Sequence, residues 1–353
     1  MTAATNNANV CDEFHRGMNF GFAAPRGWYG SEEALAQIDK MKALNINWVA
    51  AHITFVQETY ASKRVFFDPE FTPGDKEVVT WVKAAHEAGL KVMLKPILEP
   101  LDGIWRGVVD PPKDGPSTFA RLAPSFDNQS QWVKTFKAVL SHYIGLAAAA
   151  EADCLCLGAE YWKVEIYDFM WNEIITEARE RYAGPVSYEF TPHGLRDRAM
   201  LPRRIGWWKK LDFLGFSAYG VNKTPEAPVE DFVDGLQERK REAAQLAADL
   251  DMPLMLLETG RRSTRGLAGS AADFGSEGVY DGDVQARYYE AVFQTFMDEP
   301  WFRGVYWWKW DEHQAERRPQ YFTDPAGDQG FVIDGKPAAD VLKRRYADLQ
   351  REA

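Results

Sequence analysis

Two glutamates end apolar runs in this chain. Glu160 closes the stretch Cys154-Leu155-Cys156-Leu157-Gly158-Ala159, and Glu258 closes Pro253-Leu254-Met255-Leu256-Leu257. A carboxyl group at the end of a buried strand loses part of its hydration. That raises its pKa and suits it to hold and deliver a proton. Two such groups facing one gap suit glycosidic-bond hydrolysis, in which one carboxyl protonates the leaving oxygen and the other attacks the anomeric carbon or activates water. For either glutamate alone, the competing reading is an ion pair with a nearby arginine. Four further acids compete for these roles or serve to hold the pair: Glu99, Glu189, Asp311 and Glu312. Glu165 lies past its strand end and is expected to be solvated.

Polar and aromatic residues near other strand ends are candidates for holding substrate. Trp308 and Trp310 are two apart, so on a continuing strand they share a face, and one of them is a candidate floor for a sugar ring. Tyr219 is a candidate hydrogen-bond partner for Glu258. Asn19, His52, Lys95 and Arg106 are candidates for contacts with hydroxyl groups. Core packing or an internal ion pair is the alternative for each. The histidines show no His-Glu-x-x-His and no paired ligand spacing, so no metal is expected. Neither a Gly-x-Ser-x-Gly elbow nor a phosphate-binding loop is present, and no cofactor is expected.

These residues need elements to hold them. Eight strand-like apolar runs occur at 18–22, 46–53, 91–97, 153–157, 186–190, 213–217, 254–257 and 304–308. Helical periodicity appears between them. Ser31 is a candidate N-cap for a helix carrying Leu35, Ile38, Met41 and Leu44. A second helix starts near Asp75 and stops at Gly89. Others are marked by Trp132 to Tyr143, by Phe232 to Leu250, and by Tyr288 to Phe296. Eight alternations predict an α/β fold closed as a single (β/α)8 TIM barrel. A doubly wound sheet would be expected to carry a Gly-rich turn after its first strand, where this chain has Ala23-Ala24-Pro25-Arg26-Gly27. Long irregular segments at 98–130, 259–283 and 311–336 follow the third, seventh and eighth runs, on the face where barrel enzymes do chemistry. We read 1–15 as a polar tail and 16–353 as the catalytic barrel.

Bulk composition agrees. Of the 353 residues, 46% are hydrophobic and 26% charged, enough for a large core. The net charge of −11 argues against a nucleic-acid partner. No apolar run approaches the roughly 20 residues of a membrane span, and no signal peptide is visible, so a cytoplasmic location is expected. Cys154 and Cys156 fall on one face of one strand and are expected to be packed thiols, with Cys11 the third cysteine.

Taken together, the motifs resemble the retaining barrel glycosidases that pair a strand-four with a strand-seven glutamate, and within them glycoside hydrolase family 113, known chiefly for β-mannanases. The similarity spans most of the chain. It is carried by Gly17-Met18-Asn19-Phe20-Gly21, Lys95-Pro96, Trp105-Arg106-Gly107, Gly158-Ala159-Glu160, Leu257-Glu258-Thr259-Gly260, Trp307-Trp308-Lys309-Trp310 and Gly335-Lys336-Pro337-Ala338. The resemblance implies Glu160 as acid/base and Glu258 as nucleophile, with carboxyl groups about 5–5.5 Å apart. Trp105 joins the substrate-binding candidates. Many of these enzymes have Asn just before the acid/base, where it grips a sugar hydroxyl, whereas this chain has Ala159. The expected partner is a β-linked oligosaccharide, mannose-containing by resemblance. The alternatives are an exo-acting enzyme of this fold on another sugar and a barrel that binds carbohydrate without cleaving it.

Overall fold

The Ser31 hydroxyl accepts the Ala34 N–H at 3.1 Å and so caps the first helix. Gly89, at φ +81°, supplies the left-handed step that lets the chain leave the second. Between such signals the chain alternates as β1 (His15–Phe20), α1 (Glu32–Ala43), β2 (Trp48–Gln57), α2 (Asp75–Glu87), β3 (Lys91–Pro100), α3 (Gln131–Ala149), β4 (Cys154–Ala159) and α4 (Asp168–Arg181). It continues as β5 (Val186–Phe190), α5 (His193–Arg196), α6 (Leu201–Trp208), β6 (Leu214–Ser217), α7 (Val229–Leu250) and β7 (Leu254–Thr259). The last elements are the short strands β8 (Thr264–Arg265) and β9 (Val279–Tyr280), then α8 (Gly282–Phe296), β10 (Phe302–Trp307) and α9 (Pro337–Glu352). The structure is a computed structural model and describes residues 10–112, 131–265, 278–311 and 329–352. Glu312 and much of the three long segments lie outside these residues.

Strands β1 to β7 and β10 form a closed barrel in which each pairs in parallel with its neighbours. The small β8–β9 hairpin stands apart. β2 and β3 outrun their predicted ends, keeping register as far as Gln57 opposite Pro100. This extension places Glu99 at the C-terminal rim. The sequence patterns missed α4, α5, α6 and α9.

The barrel interior is layered. Its floor packs Met93, Cys154, Cys156, Phe213, Met255 and Tyr306, with His15 stacked on Trp48 at 4.0 Å. Both β4 thiols are buried here, and burial pushes the Cys156 thiol up to about 12. Residues read as tail reach this layer: Val10 packs into it, and its carbonyl meets His15 Nε2 at 2.5 Å. β1 itself begins at His15, one residue before the predicted boundary. A larger apolar layer joins the strands to the surrounding helices. Among the described residues no helix is long and apolar enough to cross a membrane.

Trp81 shows how that outer layer locks. It projects from α2, stacks on Phe20 of β1 at 4.8 Å, meets Tyr29 edge-on and donates to the Ala34 carbonyl of α1 at 3.3 Å. Trp81→Ala is expected to cost about 3–5 kcal/mol and to lower Tm by roughly 10 °C, measurable by thermal and denaturant unfolding. A loss under about 1 kcal/mol would contradict this packing role.

Candidate active site

Glu160 leaves β4 through an unusual turn. A side chain at Gly158 would meet the Tyr161 ring at 2.2 Å, so this position accepts only glycine. Glu160 itself sits at φ +63°, a left-handed conformation costing on the order of 1–3 kcal/mol for a non-glycine residue. Its N–H donates to the Glu189 carbonyl at 2.8 Å, which ties the turn to β5. The carboxylate is fully engaged. Oε1 accepts Ser217 Oγ at 2.6 Å, and Oε2 accepts Trp105 Nε1 at 3.0 Å and faces Arg106 Nη2 at 3.2 Å.

Glu258 stands on β7 across the same opening. The Tyr219 hydroxyl donates to its Oε1 at 2.5 Å. Its Oε2 lies 3.5 Å from Arg106 Nη2 and has no hydrogen-bond partner among the described residues. One guanidinium nitrogen therefore faces both carboxylates. The two oxygens it faces lie closer than the sum of those legs, under about 7 Å, so one glycosidic bond can reach both. Arg106 Nη1 is held by Glu99 at 2.6 Å. Burial alone would lower the arginine's pKa, but Glu99, Glu160 and Glu258 keep it charged.

A second buried ion pair lies below. Lys95 Nζ is 2.5 Å from Glu189 Oε2, and neither side chain is exposed. Lys95 also reaches the Leu257 carbonyl and Asn19 Oδ1, while Asn19 Nδ2 donates to the Leu257 carbonyl at 3.0 Å. His52 Nε2 meets Asn19 Oδ1 at 2.7 Å. Burial, with Lys95, Arg106 and Lys309 nearby, pushes the His52 pKa well down and keeps the ring neutral. Asn19, His52 and Lys95 thus form a buried layer beneath the carboxylates, and their observed polar contacts are with protein.

Two predictions from the sequence change here. Trp310 does not share a face with Trp308, because β10 ends at Trp307 and the alternation stops there. Trp308 packs with Phe22, Ile97 and Ala159 at the barrel mouth, whereas Trp310 joins the outer layer and donates to Gln37 of α1 at 3.1 Å. Glu165 is not solvated. It is fully buried, accepts Tyr188 OH and Arg204 Nε at 2.9 Å each, and burial pushes its carboxyl up to about 7. The segment after β4 folds back under α6, and that covers it. Of the rival acids, Glu99 and Glu189 are the partners of Arg106 and Lys95, and Asp311 accepts the Gly21 N–H at 3.0 Å. Ser217 was missed, although it too is a polar residue ending an apolar strand.

The model for Glycoside Hydrolase Family 113 matches residues 18–336. The chain belongs to that family. The family 113 β-mannanase AaManA from Alicyclobacillus acidocaldarius, solved with ManMIm, is 28% identical, with 97% of this chain and 100% of that one covered at a TM-score of 0.77. A second family 113 β-1,4-mannanase, also solved as a complex, is 24% identical over 95% of this chain and 99% of its own, at a TM-score of 0.77. A family 5 mannosidase from Rhizomucor miehei is 13% identical over 97% of this chain and 95% of its own, with a TM-score of 0.64, and shares the fold. No curated protein matches at a significant level. The protein is therefore a glycoside hydrolase on a (β/α)8 barrel.

In this glycoside hydrolase, burial first and then Glu160 and Glu189 raise the Glu258 pKa from 4.5 to about 8, against Arg106 and Lys95. Glu258 thereby retains a proton near neutrality. Between the unfolded and folded values the native state holds a proton that the unfolded chain releases, so this group reduces stability as pH rises through that window. Glu258→Gln removes the titration. It is expected to unfold at a higher temperature than the parent, with a margin that grows from about pH 5 to about pH 8 and reaches roughly 2–5 °C. A margin that does not change with pH would contradict the raised carboxyl.

Proposed function

We propose that this enzyme hydrolyses β-linked, mannose-containing oligosaccharides with retention of anomeric configuration. Glu258 Oε2 attacks the anomeric carbon while Glu160 protonates the departing oxygen. The C–O bond to the leaving sugar breaks and a glycosyl ester forms on Glu258. Water then enters, Glu160 takes its proton, and the ester is cleaved. The observation that carries this reading is the division of labour at Arg106. Both carboxylates face one guanidinium nitrogen, yet only Glu258 keeps an oxygen unbonded. The mannose preference rests on the family and on its mannanase neighbours.

The proton must sit on Glu160 when the bond breaks. Tyr219 and Arg106 both stabilise an ionised Glu258. A sugar seated over Glu160, which is 7% exposed, covers the little of it that water still reaches. The raised Glu258 pKa favours a second reading with the roles exchanged. Against it, both Glu160 oxygens are already committed to donors, which leaves a poor nucleophile.

Variants separate the two readings on an aryl β-mannoside. Glu258→Ala is expected to lose about 10⁴-fold or more in kcat. Glu160→Ala is expected to lose less, because a good leaving group needs little protonation, and azide should restore turnover and yield β-mannosyl azide. Azide rescue of Glu258→Ala, with none for Glu160→Ala, would assign the roles the other way. Proton NMR of the first product formed by the parent should show the β anomer, and an α anomer would exclude retention.

A further inference from the structure

Glu165 is a fully buried carboxylate that the mechanism above does not use. Its Oε1 accepts the Tyr188 hydroxyl at 2.9 Å, its Oε2 accepts Arg204 Nε at 2.9 Å, and its carbonyl accepts Trp207 Nε1 at 3.0 Å. These donors come from β5 and α6, so Glu165 ties two elements together behind the turn that carries Glu160. A Cβ at Gly194 would lie 3.0 Å from Oε2, so α5 packs directly on the pair. A buried ion pair recovers little beyond its desolvation cost, and stability alone is a poor account of it.

The network ends at Glu160. The Tyr188 hydroxyl donates to Glu165 and accepts the Tyr161 N–H at 2.9 Å. That N–H belongs to the peptide group joining Glu160 to Tyr161. The peptide group on the other side is held as well, since the Glu160 N–H donates to the Glu189 carbonyl at 2.8 Å. Both anchors stand on β5. Arg204 adds a third hold one residue on, where Nη2 donates to the Trp162 carbonyl at 3.1 Å. The Tyr161 hydroxyl accepts the Leu98 N–H at 2.8 Å, which pins the same turn to β3.

Holding both flanking peptide groups fixes the backbone dihedrals of Glu160. Its φ of +63° is one that a glutamate keeps only where the surroundings over-determine it. The direction of the relay comes from Glu165. An ionised carboxylate only accepts, so it takes the one proton of the Tyr188 hydroxyl and leaves that oxygen's lone pairs for the Tyr161 N–H. Two donors, Tyr188 and Arg204, approach the two oxygens of Glu165. Glutamine at 165 has one acceptor oxygen and one amino group, so it meets one donor and opposes the other.

We propose that Glu165 is a positioning residue for acid catalysis: through Tyr188 and Arg204 it holds Glu160 in the left-handed conformation from which the carboxyl delivers its proton. The proposal rests on the assignment of Glu160 as proton donor. The test measures kcat/KM for the parent, Glu165→Gln, Tyr188→Phe and Glu160→Ala on two aryl β-mannosides. Dinitrophenolate leaves without a proton, whereas phenol needs one. The ratio of kcat/KM for the phenyl substrate to that for the dinitrophenyl substrate is expected to fall about 10- to 100-fold in Glu165→Gln and Tyr188→Phe, with the dinitrophenyl value itself changing less than about threefold. Tyr188→Phe deletes one oxygen and keeps the Glu165–Arg204 pair, so it carries the test alone should Glu165→Gln not fold. Adding Tyr188→Phe to Glu160→Ala should leave the ratio where Glu160→Ala sets it, because the relay acts through Glu160. An unchanged ratio in the relay variants, an equal loss on both substrates, or a further fall in the double variant would overturn the positioning role. A parental ratio in Glu160→Ala would instead overturn the proton-donor assignment, and the inference with it.

Discussion

The site depends on the burial of four carboxylates at one barrel mouth. Glu99, Glu160, Glu189 and Glu258 converge on one barrel mouth, each almost fully buried; Arg106 faces Glu99, Glu160 and Glu258, and Lys95 faces Glu189. Carboxylates removed from water must be paired or protonated. Lys95 is committed to Glu189, and Arg106 serves the other three. Burial and the neighbouring carboxylates hold a proton on Glu258 near neutrality, and Arg106 and Lys95 oppose them. A planar guanidinium suits the shared role better than an ammonium, since its fork of donors can address Glu99 on one nitrogen and both members of the dyad on another.

Each acid comes from a different strand end: Glu99 from β3, Glu160 just past β4, Glu189 from β5 and Glu258 from β7. None could reach the others without barrel closure, so fold and charge balance are one problem. The floor below supports this arrangement with the Asn19–His52 and Lys95–Glu189 contacts. Ala159, where related enzymes often carry Asn, packs against Phe22, Ile97 and Trp308 in an apolar patch. A hydroxyl contact at that point must come from another residue.

Much of this was legible in the sequence. Eight apolar runs predicted a closed barrel because a buried parallel strand writes itself as a continuous hydrophobic stretch. Glu160 and Glu258 stood out because a charge at the end of such a stretch needs a reason. What escaped was set by contacts distant in sequence. Glu165 looks solvated until α6 folds over it. Trp310 seems to share a face with Trp308 only while the strand is assumed to continue. Ser217 carries no charge to draw notice, and its role appears only when β6 brings it to Glu160. Tyr188 and Arg204 come from different elements, and nothing in their spacing predicts that both meet Glu165.

The most direct test asks which carboxylate carries the sugar. Incubating the enzyme with a 2-deoxy-2-fluoro-β-mannosyl fluoride should trap the slow-turnover ester, and mass spectrometry of the digested protein should locate the added glycosyl group. The account predicts stoichiometric labelling of Glu258, lost in Glu258→Gln. A label on Glu160 or Glu189 would contradict it.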